Sequence, residues 1–92
     1  MKYAWAITKD HIENGVTEGL TGPANGELDY NAIVTHPHKQ KFRMLDDDGE
    51  LYYEGYLVGG DGFEPLDDFG MPGAGCTTIQ YKNKNTGAWE DL

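Results

Sequence analysis

Apolar and polar residues alternate most regularly between Lys41 and Val58, where two runs rich in Phe, Tyr, Leu and Val flank Asp46-Asp47-Asp48-Gly49. A period of two sends successive side chains to opposite faces of a strand, and short Asp residues followed by Gly supply a tight turn between antiparallel strands. The stretch therefore predicts one long β-hairpin, Lys41–Leu45 with Leu51–Val58. A four-residue loop sets Met44 against Leu51, Arg43 against Tyr52, Phe42 against Tyr53 and Lys41 against Glu54. Phe42, Met44, Leu51, Tyr53 and Leu57 then share a core face. Lys41, Arg43, Tyr52, Glu54 and Tyr56 share the other, where Lys41 can pair with Glu54 and Arg43 can lie over Tyr52. A three-residue loop with a bulge at Gly49 would mix the faces, so the four-residue loop is preferred.

The same alternation predicts a strand over Lys2–Thr8, burying Tyr3, Trp5 and Ile7, and another over Thr77–Lys82, with Ala88-Trp89 returning as a short edge strand after the polar turn Asn83–Gly87. Asp10–Gly26 reads as a glycine-rich loop with a short strand around Thr17–Leu20. Glu27–Thr35 fits a strand or two helical turns equally, and His36-Pro37-His38 ends it, since Pro37 holds the residue before it extended. Phe63–Gly75 reads as an irregular segment over the sheet with a single turn at Pro65–Phe69. The expected fold is mainly β, with α+β as the alternative: a small antiparallel sheet organised on the hairpin, at most one short helix, and a core of Trp5, Ile7, Phe42, Met44, Leu51, Tyr53, Leu57 and Ile79.

Composition sharpens this picture in two ways. At 92 residues the chain makes a single domain, 1–92, and its 13 glycines and 4 prolines fit short strands joined by many loops, so the aromatic residues must supply much of the buried area. The lone Cys76 forms no internal disulfide, and the start MKYAWAITKDHI is too short and too polar for a signal peptide or membrane span, which gives a cytoplasmic expectation.

Charge is the more informative quantity. The net −9 is concentrated between residues 44 and 81, where Asp46, Asp47, Asp48, Glu50, Glu54, Asp61, Glu64, Asp67 and Asp68 occur without a single Lys or Arg; elsewhere acids and bases balance. Such a field attracts basic surfaces and repels phosphates and anionic lipid, so neither direct nucleic-acid binding nor membrane binding is expected.

The candidate chemistry is sparse. Asp46-Asp47-Asp48-Gly49-Glu50 invites a calcium reading, but its acids are contiguous where an EF-hand loop alternates them and places a Glu much further on, so a solvated turn is the expected reading. His11, His36, His38 and Cys76 lack zinc-site spacing. Cys76 has no base near it in sequence and is expected to be a buried thiol. Gly70–Gly75 lacks the Lys-Ser/Thr of a phosphate loop, and the adjacent Asp67 and Asp68 are poorly placed to converge on one substrate. No cofactor, metal or enzyme class is expected.

FRMLDDDGELYYEG together with LDDFGMPGAGCTTIQY resembles a group of short, uncharacterised bacterial, plasmid and phage proteins with a similar DDDG hairpin. The likeness spans Phe42 to Tyr81 and implies no assigned activity. In size and acidity the chain also resembles phage-encoded inhibitors, including anti-CRISPR proteins and DNA mimics. The localised negative field, which would compete with phosphate for the same basic side chains, gives the expectation, in line with that resemblance, of a non-enzymatic inhibitor or adaptor that presents carboxylates to the basic, nucleic-acid-binding surface of a partner. The candidate binding residues are Asp46, Asp47, Asp48, Glu50, Glu54, Tyr52, Tyr56, Asp67 and Asp68. The alternatives are a small cation-binding regulatory module and a scaffold that binds by β-augmentation.

Overall fold

The computed structural model describes residues 3–23 and 28–92. Lys2, at the start of the first expected strand, and Glu27, at the start of the ambiguous stretch, lie outside the described residues. The fold is mainly β, a six-stranded antiparallel sheet in the order β2-β1-β4-β3-β5-β6. Its strands are β1 (Ala4–Asp10), β2 (Thr21–Gly22), β3 (Gln40–Leu45), β4 (Leu51–Val58), β5 (Thr78–Lys82) and β6 (Trp89–Asp91). The β3–β4 hairpin lies at the centre, flanked by β1 and β5. Two helical pieces complete the fold: α1 (Tyr30–Val34) and a segment that begins as a π-helical turn, Leu66–Gly70, and continues as α2 (Met71–Ala74).

Phe42, Met44, Tyr53 and Leu57 lie on the face the alternation predicts, but the register differs from the expected one, and Leu51 and Tyr52 exchange faces: Leu51 falls opposite Leu45, and Tyr52 packs against the main core. Leu45 opposes Leu51, then Met44 opposes Tyr53, Arg43 opposes Glu54, Phe42 opposes Gly55 and Lys41 opposes Tyr56. The loop is one residue longer than expected because Asp46 closes it around Glu50: the Asp46 amide donates to the Glu50 carbonyl at 3.1 Å, and the Asp46 carboxylate accepts from the amides of Asp48 and Glu50. Tyr52 is then an extra residue, a bulge between Leu51 and Tyr53. Each change slides the pairing by one position, and two shifts restore the parity, so Phe42 and Tyr53 still share a face. Leu51 does not reach the core; beside the loop it is only half-buried and belongs to neither apolar cluster.

The altered register is also what allows Phe42 to be buried. A Cβ on Gly55 would lie 2.8 Å from the Phe42 ring and 2.0 Å from the Ala6 carbonyl oxygen, so the missing side chain leaves room for the ring and for close approach of β1. On this face Trp5, Ile7, Phe42, Met44, Tyr53, Leu57 and Ile79 pack with Leu66 and Cys76, and the Leu66–Ala74 segment lies over them. Phe69 anchors that segment between Trp5 and Tyr53, with ring centroids 5.6 and 4.9 Å away.

The opposite face is only half covered. Within the stretch that is ambiguous in sequence, Tyr30–Val34 forms α1, capped by the Asp29 carboxylate on the Ala32 amide; Ile33 packs there on Ala4 and Ala6. Over β3, β5 and β6 no helix among the described residues covers this face. The strand expected around Thr17–Leu20 begins four residues later, as Thr21–Gly22 paired with Ala6 and Trp5, because residues 11–19 are taken up by consecutive turns.

Candidate functional site

Acidic side chains gather at one end of the sheet because the β3–β4 turn and the β1–β2 loop lie side by side there. β1 reaches Asp10 opposite Tyr53, and the His11 amide donates to the Tyr52 carbonyl. Asp10 is buried at the centre of its loop and organises it through four hydrogen bonds, from the amides of Ile12, Glu13 and Thr17 and from the Thr17 hydroxyl. Glu13 in that loop, and Asp47, Asp48 and Glu50 in the adjacent turn, are exposed.

Several of the expected binding carboxylates have structural work to do. Asp46 holds the turn. Asp68 accepts from the Tyr3 hydroxyl at 2.7 Å and from the Trp5 indole at 3.0 Å, tying the Leu66–Gly70 turn to β1; its hydrogen bond and charge push the Tyr3 phenol up to about 12. Glu54 meets His11 at 2.8 Å, and Glu64 accepts from the amides of Asp61 and Gly62. Among the described residues Asp47, Asp48, Glu50 and Asp67 are the members of the acidic segment whose carboxylates hold no hydrogen bond to the protein.

The two tyrosines of the expected site are separated. Tyr52, at the bulge, packs partly against the main core beside Asp46, which pushes its phenol upward. Tyr56 lies at the other end of the hairpin on the half-open face. There Lys41 and Arg43 do not pair with Glu54 and Tyr52 as expected. Lys41 lies over Tyr56 instead, with its ammonium 5.9 Å from the ring centroid, while the Arg43 guanidinium stacks 4.4 Å from the Trp89 ring and donates to Gln80 at 2.7 Å.

Reading charge along the chain missed a second site. Phe42 pairs with Tyr81, so Lys41 and Lys82, next along on the open face, lie side by side. With Lys39 and Lys84 they line a groove of about 280 Å³ that has Tyr56 as a wall. The pattern that points to it is Lys-x-Lys at 39/41 and again at 82/84, with both pairs at the same end of adjacent strands.

Neither alternative reading gains a site. Among the described residues no three His, Cys, Asp or Glu side chains gather as a metal set. Cys76 is buried, and that burial pushes its thiol up to about 11. The sheet edges, β2 and β6, are two and three residues long and offer a partner strand little ladder. Among the described residues no helix is long and apolar enough to cross a membrane. Compared with known proteins, the chain matches no family model, no curated protein and no solved structure.

Proposed function

We propose that this protein is a non-enzymatic inhibitor or adaptor, of the DNA-mimic or anti-CRISPR kind, whose acidic hairpin tip enters a Lys/Arg-lined surface that otherwise holds nucleic acid. The observation that carries the reading is the Asp46–Glu50 loop. Asp46 spends its carboxylate on the loop's own amides, so Asp47, Asp48 and Glu50 are held outward on a turn that is already ordered. A preformed array of carboxylates binds with little ordering cost and competes with phosphates for the same basic side chains. Glu13 in the neighbouring loop widens the acidic surface, and Tyr52 gives it an aromatic flank.

The test begins with a partner captured from lysate on the immobilised protein. Binding is expected to weaken steeply as salt rises from roughly 0.05 to 0.2 M, and duplex DNA is expected to displace the partner. Replacing Asp47 and Asp48 by Asn and Glu50 by Gln together is expected to slow association about tenfold or more with a smaller effect on dissociation. Asp67→Asn, on the helical segment away from the tip, is expected to change little. A partner whose affinity ignores both salt and the triple substitution would overturn the proposal.

A further inference from the structure

The lysine groove sits at the opposite end of the hairpin from the acidic tip, about six residues or roughly 20 Å along β3. It is a feature that a chain of net charge −9 has no need of for solubility. Four of the seven basic residues converge on it, and among the described residues no carboxylate lies within ion-pair distance of their ammonium groups. Like charges crowded in this way repel one another, and an anion placed between them removes that repulsion while gaining attraction to each.

The groove is also built rather than incidental. It forms at the step where the α1 layer stops short of β5 and β6. Lys39 and Lys41 are half-buried, with their ammonium groups 5.6 and 5.9 Å from the Tyr56 ring centroid. Lys82 and Lys84 flank Asn83, whose side-chain oxygen accepts from the amides of Asn85 and Thr86 and whose backbone amide donates to the Ala88 carbonyl, fixing the turn that carries them. On the other wall the Lys39 amide donates to the His36 carbonyl, and the His38 amide to the His36 ring. In each pair one lysine therefore stands on a strand end, Lys41 on β3 and Lys82 on β5, and the other on an adjoining turn held by its own hydrogen bonds.

We propose that this groove is a binding site for a small phosphate dianion, either free phosphate or a phosphate monoester. Several ammonium groups from separate strands suit an oxyanion that carries two charges and accepts hydrogen bonds on every side. A volume of about 280 Å³ admits a phosphoryl group with a modest substituent, which can rest against Tyr56. A nucleic-acid strand fits less well. Its further phosphates would extend past the lysines into the field of an acidic protein, whereas a small dianion stays within the roughly 8 Å over which the lysine charges act. The proposal is independent of the acidic-tip reading, since the two sites share no residue.

The experiment is a ¹H–¹⁵N NMR titration at constant ionic strength with inorganic phosphate, AMP and adenosine as probes. Phosphate or AMP is expected to give saturable shifts at the amides of Lys39, Lys41, Lys82, Lys84 and Gly87, and adenosine none. Tighter binding of AMP marks the monoester as the ligand class, and equal affinity marks the free anion. Lys82→Met and Lys84→Met, both on exposed positions remote from the core, are each expected to weaken binding by about tenfold, and Lys9→Met to leave it unchanged. Absence of saturation up to about 10 mM phosphate and AMP would overturn the proposal. So would equal response to adenosine, indifference to both groove substitutions, or tighter binding of a DNA oligonucleotide than of AMP.

Discussion

Gly55→Ala is expected to destabilise the fold by about 3 kcal/mol or more, beyond the usual range for overpacking, because the nearest atom its methyl meets is a backbone carbonyl oxygen. The Cβ would lie 2.0 Å from the Ala6 carbonyl oxygen and 2.8 Å from the Phe42 ring, so the central strand would have to move away from β1 and β3 together. A domain of this size loses roughly 4–8 °C of melting temperature per kcal/mol, which gives a drop of about 12 °C or more by thermal denaturation. Phe42→Ala, which empties the space on the other side of the same contact, is expected to cost about 3–5 kcal/mol. In the double variant the ring collision is gone and the carbonyl collision remains, so the combined loss should fall below the sum of the two single losses. An unchanged melting temperature for Gly55→Ala would reject the pairing of Gly55 with Ile7 and Phe42.

That contact also shows what the sequence could and could not reveal. Alternation of apolar and polar residues specifies which face a side chain occupies, and Phe42, Met44, Tyr53 and Leu57 are on the face it indicates. It does not specify which residue lies opposite, because a shift of two positions keeps every face intact. The missing information was the reach of one carboxylate: Asp46 bonds the Glu50 amide, lengthens the loop and turns Tyr52 into a bulge. The same limit applies to the binding residues. Asp46 and Asp68 look like their neighbours in a list of acids, and only three dimensions show Asp68 bonded to Tyr3 and Trp5. The lysine groove was hidden because its halves are some forty residues apart and join through β3–β5, two strands that are not consecutive in the chain. The helical segment over Leu66–Ala74 was obscured by Gly70, Pro72 and Gly73, and it forms because Leu66 and Phe69 find the core beneath them.

Asp10 supplies the other large effect expected, one that depends on pH. Its side chain is only 7% exposed, and its carboxylate accepts from the Ile12 amide at 3.0 Å, the Glu13 amide at 2.9 Å, the Thr17 amide at 3.1 Å and the Thr17 hydroxyl at 2.7 Å. Burial by itself pushes the pKa up; the Thr17 hydroxyl and the three amides act against it and prevail, holding the group below the ordinary aspartate value of 3.8. A pKa lowered by folding means that the ionised form stabilises the native state. The contribution is therefore fully present above the unfolded value and is lost as pH falls through the folded one. Asp10→Ala leaves three amides and a hydroxyl without their acceptor and is expected to cost about 2–4 kcal/mol at pH 7, a fall in melting temperature of roughly 10–20 °C. Asp10→Asn keeps one acceptor oxygen but turns an NH₂ group toward at least one donor, so it should rescue only part of the loss. Measured by urea denaturation, the stability gap between the parent protein and Asp10→Ala is expected to stay constant from about pH 7 to pH 5 and to narrow below about pH 4. A gap of the same size at pH 3 and pH 7 would show that Asp10 acts through packing alone and that its charge does not hold the loop beside the acidic tip.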